Sequence, residues 1–148
     1  MTFRDATADD LPDIVRLLAD DVYGITRELP SLTLDPRYRA GFEAMIAQGG
    51  RFVLAVDAGR VIGCLQFNIL HGVTSVGTPV AQIESVRVAD MRRGQGVGAA
   101  LVQHAAGLAR AAGCRAVQLT TRLERTDAQR FYARLGFAGS HAGYKLSL

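Results

Sequence analysis

The heptapeptide Arg92-Arg93-Gly94-Gln95-Gly96-Val97-Gly98 stands between two runs of different periodicity. Before it, residues 80–88 (Val-Ala-Gln-Ile-Glu-Ser-Val-Arg-Val) are rich in β-branched side chains and predict a strand. After it, Val97, Ala100, Leu101, Leu108 and Ala112 recur at helical spacing and Gly113 supplies a stop, so residues 97–112 predict a helix. The first amides of such a helix have no partner within it, and the helix dipole places partial positive charge there. Glycines at 94, 96 and 98 let the backbone take positive φ and approach a ligand closely. Arg92 and Arg93 add charge just outside. The stretch therefore predicts an anion site suited to a phosphate.

The rest of the chain arranges itself around that junction. Residues 2–6 predict a short first strand, and Leu11, Ile14, Val15 and Leu18 a helix with Thr7 and Asp9 as cap candidates. Residues 24–34 read as a loop. Asp35-Pro36 opens a second helix whose stripe is Tyr38, Phe42, Met45 and Ile46, ended by Gly49-Gly50. Two β-rich runs, 51–56 and 61–67, flank the hairpin signal Asp57-Ala58-Gly59-Arg60. In the strand at 80–88, Ile83 falls on one face and Val86 and Val88 on the other, so either both faces are covered or a bulge shifts the phase. A short buried strand at 116–121, a short helix at 127–135 capped by Gly136 and a last strand at 143–148 complete the order β-α-α-β-β-β-α-β-α-β. The fold class is α/β, a mixed, largely antiparallel sheet flanked by helices, in one domain over residues 1–148.

Composition narrows the function. The chain has 148 residues, 49% of them apolar and 21% charged, with a net charge of +3. That is an ordinary globular balance. The basic residues are scattered rather than clustered on one face, which argues against nucleic-acid binding. No run is long enough to span a membrane and no secretory leader opens the chain, so the expectation is a cytoplasmic protein. Cys64 and Cys114 have neither CxxC spacing nor paired histidines. They predict core thiols, with no metal site and no disulfide.

Three readings of the glycine stretch compete. One glycine would suffice for an unliganded turn. A dinucleotide fingerprint wants an acid about 20 residues on, and residues 115–121 hold none. A Walker loop requires Gly-Lys-Ser/Thr, which is absent. The third reading is a resemblance. Arg93-Gly94-Gln95-Gly96-Val97-Gly98 resembles the Q/R-x-x-G-x-G/A motif of the GNAT superfamily of acetyltransferases, Ile83–Val88 resembles the strand before that motif, and Phe131-Tyr132-Ala133-Arg134-Leu135-Gly136-Phe137 resembles the family's late F-Y-x-x-x-G-F segment.

The resemblance implies transfer of an acetyl group from acetyl-CoA, as co-substrate, to a primary amine of a small-molecule acceptor. It implies that the backbone amides of Gln95, Gly96, Val97, Gly98 and Ala99 hold the CoA pyrophosphate, that Arg93 and Gly94 belong to the same cofactor-binding set, and that the backbone of Val86, Arg87 and Val88 pairs with the pantetheine arm. Arg125, Ala128 and Phe131 complete the cofactor-binding set. Many relatives carry Asn where this chain has Arg125, which puts the local geometry of the arm in question. Glu84 is the candidate base, with a water chain as its rival, because a lysine-like amine with a pKa near 10.4 must lose a proton before it attacks. Tyr132 is the candidate acid toward the sulfur, and a backbone N–H near Val86 the oxyanion donor. Tyr23, Arg27 and Glu28 lie in the segment that borders the acceptor in that family. A homodimer through sheet edges is a family-level expectation. The rival readings are a non-catalytic acyl-CoA-binding sensor and a peptide or protein N-acetyltransferase. His71, His104 and His141 are each isolated, with His104 expected on a helix surface, and Phe42 and Met45 are expected in the core rather than a pocket.

Overall fold

The computed structural model describes residues 1–21, 24–31 and 33–148. Tyr23 lies outside the described residues. The chain divides into two compact units, Met1–Gln118 and Leu119–Leu148.

The first unit is a five-stranded sheet in sequence order. Its elements are β1 (Thr2–Asp5), α1 (Leu11–Ala19), α2 (Pro36–Ala47), β2 (Arg51–Asp57), β3 (Arg60–Leu70), β4 (Val80–Val88), α3 (Val97–Ala111) and β5 (Val117–Gln118). Strands β1 to β4 pair antiparallel, and β5 joins β4 in parallel. The hairpin between β2 and β3 turns on Ala58 and Gly59, both with positive φ, which suits the twist of the flanking strands.

Both sheet faces are covered along β2, where Phe52, Val53, Leu54 and Ala55 are all buried. On one face Phe52, Leu54 and Cys64 pack with Leu11, Ile14 and Leu17 of α1 and Phe42 of α2. Met45 packs at the edge of that cluster, so the α2 stripe is core as expected. Ile46 at its end is 45% exposed. On the other face lies α3. A Cβ on Gly63 would sit 3.0 Å from Leu101 Cδ1 and 3.3 Å from Val97 Cγ1, so glycine there lets the first turns of α3 lie against β3. His104, expected on the surface of α3, is instead half-buried and stacks on Phe3 with centroids 4.6 Å apart. Cys64 is buried, which pushes its thiol up to about 12, whereas Cys114 is only half-buried; both are free.

Of the two cap candidates, Thr7 stands at an N-cap as expected, and the acid that pairs with it is not the one expected. Residues Ala8–Asp10 form a short 3-10 turn, and Asp10, not Asp9, accepts the Thr7 N–H at 2.8 Å. Asp35 caps α2 as expected, accepting from Arg37 N at 2.9 Å.

The phase problem in β4 resolves as a bulge. Gln66 pairs with Glu84 and Cys64 with Arg87, so Ser85 and Val86 together oppose Leu65. Ser85 takes φ +53° to make the extra step. The bulge returns Val88, opposite Gly63, to the face that carries Ile83, so the alternation read directly from residues 80–88 misplaces it. Strand β5 is shorter than expected and not buried, with Val117 half-buried and Gln118 exposed. It meets β4 only at Ala81–Val117 and Gln82–Gln118. Beyond that rung, residues 83–88 have no strand on that edge among the described residues.

The second unit contains α4 (Thr126–Arg134). Its end is a Schellman closure: Gly136 takes φ +90°, Phe137 N–H donates to Tyr132 O at 3.1 Å and Gly136 N–H to Ala133 O at 3.0 Å. Residues 143–148, expected as a last strand, form none. Tyr144, Leu146 and Leu148 alternate with polar residues, which supplies the pattern of a strand, but no backbone pairs with them among the described residues and they are exposed.

Candidate active site

The glycine stretch folds as the sequence predicts. Asp90–Arg92 makes one 3-10 turn off β4, Gly94 takes φ +74°, and Gly96 takes φ +82° as the residue that opens α3. A Cβ at either glycine would meet nothing within 4 Å. The glycines are therefore required by backbone conformation, and the space in front of them is open. The first backbone bond of α3 runs from Ala100 N to Gly96 O at 3.0 Å. The amides of Val97, Gly98 and Ala99 precede it and have no acceptor within the helix. No acidic residue occupies that first turn. Gln95 turns back to donate to Met91 O at 2.9 Å, which braces the loop from behind.

The arginines beside the loop behave differently from expectation. Arg92 pairs with Asp57 at 2.7 Å. Arg93 reaches Asp90 at 2.8 Å, Asp20 O at 2.7 Å and Asp20 Oδ2 at 3.3 Å. Both charges are thus partly neutralised by carboxylates. The loop's attraction for an anion rests mainly on backbone amides and the α3 dipole.

Strand β4 carries the remaining first-unit candidates. Glu84 is exposed, one residue before the bulge. Its orientation is set by a row of amides on the same sheet face. Gln118 Nε2 donates to Gln82 Oε1 at 3.0 Å, and Gln82 Nε2 donates to Glu84 Oε1 at 2.6 Å. On the neighbouring strand, Gln66 donates to Asn68 at 2.9 Å, opposite Glu84 and Gln82 respectively. The result is a polar patch on the face that also holds the α1 cluster. Sequence reasoning picked Glu84 but missed Gln82 and Gln118, whose meeting depends on the parallel register of β4 and β5. Arg87, after the bulge, turns its guanidinium to Asp21 at 2.9 Å and to Val86 O at 2.9 Å. Arg27 and Glu28 pair with each other at 2.8 Å, and Tyr38 Oη donates to Glu28 at 2.9 Å. Glu28 is therefore a brace between the turn and α2. Among the described residues no group of three or more His, Cys, Asp and Glu side chains is placed to hold a metal ion.

In the second unit, the Tyr132 ring is half-buried and held edge-on by Phe131 (centroids 5.0 Å apart) and Phe137 (5.7 Å). The Phe137 contact is the apolar closure that accompanies a Schellman motif. Arg125 stands just before α4 and accepts Gln129 N–H on its carbonyl at 3.0 Å; its side chain makes no cap. Ala128 and Phe131 lie on the same short helix.

Comparison with known proteins fits this arrangement. Residues 14–137 match the model of the acetyltransferase (GNAT) family. The aminoalkylphosphonate N-acetyltransferase of Salmonella typhimurium strain LT2 is 32% identical, over 98% of this chain and 90% of that protein. A transcriptional regulator from Bacillus halodurans C-125 superposes with a TM-score of 0.94 at 38% identity, over 99% of both chains. An acetyltransferase from Trypanosoma brucei superposes with a TM-score of 0.80 at 25% identity, again over 99% of both chains. The matched span includes the bulged strand, the glycine loop and the Phe131–Phe137 segment. The chain belongs to the GNAT family of acetyltransferases and is an N-acetyltransferase.

Proposed function

We propose that the whole chain, residues 1–148, serves one reaction: transfer of an acetyl group from acetyl-CoA to a primary amine of a small molecule by direct attack in a ternary complex. The observation that carries this reading is the open, glycine-shaped start of α3, with left-handed Gly94 and Gly96 and the unpaired first-turn amides of Val97, Gly98 and Ala99. These residues fit a pyrophosphate, which needs several converging N–H donors and no side chain in the way. Arg93, Gln95, Val86, Arg87 and Val88 border the same donor, and the resemblance alone assigns Arg125, Ala128 and Phe131 to the cofactor. The amine acceptor is supported by the Salmonella relative, whose substrates are aminoalkylphosphonates by name.

When bound, acetyl-CoA supplies an activated thioester carbonyl and a thiol leaving group. Glu84 takes the proton from the incoming ammonium on Oε2, since Oε1 is occupied by Gln82. The bulge at Ser85 and Val86 takes one residue off the ladder. The Val86 N–H there is assigned to the developing oxyanion. Tyr132 Oη returns a proton to the departing sulfur. A general base of this kind contributes roughly 10²–10⁴-fold.

The regulatory description of the Bacillus halodurans protein favours a second reading, in which acyl-CoA is sensed rather than consumed. A thiol-release assay with acetyl-CoA separates the two across aminoalkylphosphonates, polyamines, amino acids, aminoglycosides and short peptides. Transfer predicts release with at least one amine, falling roughly 10- to 100-fold in kcat in Tyr132→Phe with acetyl-CoA affinity kept. Donor binding with no release from any amine supports the sensor.

A further inference from the structure

Two arginines from the donor side grip neighbouring aspartates at the end of α1. Arg87 leaves β4 just after the bulge, and Arg93 opens the glycine loop. Arg87 Nη2 meets Asp21 at 2.9 Å, and Arg93 Nη2 meets the carbonyl and carboxylate of Asp20 at 2.7 and 3.3 Å. The first pair is well covered, with side chains 15% and 12% exposed. The second is about half exposed. Other bonds of Arg87 and Arg93 run to Val86 O and Val88 O, on either side of Arg87 in the strand.

Among the described residues, further contacts lead outward from Asp21. Asp21 O accepts the amides of Gly24 at 2.9 Å and Ile25 at 3.0 Å, and Gly24 O accepts those of Arg27 at 2.9 Å and Glu28 at 2.8 Å. Glu28 receives the Tyr38 hydroxyl, and that hydroxyl accepts Leu29 N–H at 2.8 Å. Gly24 is required in this turn, because a Cβ there would overlap the Leu18 carbonyl. The turn is thus a built element held at one end by the strand and donor loop and at the other by α2. Asp21, from which it hangs, meets Arg87 on the face that carries Glu84. Arg87 sits opposite Cys64 and Glu84 opposite Gln66, on the face where α1 packs.

We propose that Asp20 and Asp21 are positioning residues that couple the donor loop to the turn bordering the amine site, so that filling one site orders the other. The inference rests on the reading of Gly94–Ala99 as the donor site. Coupling between binding sites is reciprocal, so the acetyl donor should tighten the turn and an amine should tighten the donor. Arg87 transmits more than Arg93, because a covered ion pair is screened less by solvent than a half-exposed one.

The test is amide hydrogen exchange at Ile25, Arg27, Glu28 and Leu29, with and without saturating acetyl-CoA, alongside calorimetry of acetyl-CoA binding. In the wild type, exchange at these amides slows about tenfold on adding acetyl-CoA. In Asp21→Asn the slowing falls to less than about twofold, and in Asp20→Ala it falls part of the way, since the Asp20 carbonyl remains bonded to Arg93. Asp21→Glu restores it. Asp20→Ala, at an exposed pair, keeps the test informative if Asp21→Asn fails to fold. Acetyl-CoA binding to the wild type with no change at these amides, or an equal change in all variants, overturns the coupling and leaves the donor site standing. No binding to the wild type overturns both.

Discussion

At the start of α3 the protein offers its backbone: two left-handed glycines, three first-turn amides and an open space in front of them. At the end of α1, against the same strand, it offers side chains: two arginine–aspartate pairs and a turn hung from Asp21. The first arrangement suits a ligand part that never varies, since peptide groups cannot be exchanged by substitution. The second suits a part that does vary, since side chains, unlike peptide groups, are exchanged by substitution. Substitutions in the two regions should therefore separate donor affinity from turnover and from stability.

The largest effect is expected at the row of amides that ends in Glu84. Glu84→Gln should lower kcat roughly 10²–10⁴-fold at neutral pH and leave acetyl-CoA affinity within about twofold. Steady-state kinetics paired with calorimetry checks this, and an unchanged kcat removes Glu84 from the chemistry. Next is the covered ion pair. Asp21→Ala removes the carboxylate that faces Arg87 and leaves the guanidinium with the Val86 carbonyl as its remaining partner among the described residues. That should destabilise the fold by about 2–3 kcal/mol, below the range for a fully buried pair because both side chains keep some exposure. Urea unfolding measures it, and a loss below about 0.5 kcal/mol would reduce the pair to surface decoration.

Gln82→Leu should reduce kcat by about three- to tenfold, the size of one hydrogen bond, and should add nothing in a Glu84→Gln background. Additive losses would mean that Gln82 acts by another route. The smallest effect concerns the other end of α1. Arg4 bonds Asp10 at 2.7 and 2.8 Å and, with the Thr7 amide, holds its carboxyl at about 2, below the ordinary 3.8. A folded-state pKa that is depressed contributes stability above about pH 4, and that contribution is lost as pH falls toward 2. Arg4 is 46% exposed, so solvent screening limits the contribution to about 1 kcal/mol. Asp10→Asn should therefore lose about that much at pH 7 and match the wild type near pH 2, by chemical unfolding at each pH. A gap that persists at pH 2 would mean that shape, not charge, makes the cap.

The same contrast explains what could be read from the sequence. The glycine loop, the α3 helix, the hairpin at Ala58-Gly59 and the closure at Gly136 were legible because each requires a conformation that few residues tolerate. Asp20 and Asp21 carry no such mark. Their partners lie far along the chain, 73 residues away for Asp20 and Arg93, and the pairing exists only once α1 has packed on the sheet. Gln82 and Gln118 were invisible for the same reason. Residues 80–88 show a phase conflict but not the strand opposite, so the sequence leaves the bulge as one of two answers. Residues 143–148 misled in the other direction, since alternation specifies a strand's faces and not its neighbour.

The most direct test of the central claim is calorimetric titration of acetyl-CoA into the wild type and into Gly96→Val. Valine fits the space but disfavours φ +82° by roughly 1–3 kcal/mol, so the start of α3 should reshape while the sheet stays folded. The account predicts saturable binding to the wild type and at least a roughly 100-fold loss in the variant, with an unchanged circular dichroism spectrum. Equal affinity in the two folded proteins would contradict it and place the donor elsewhere.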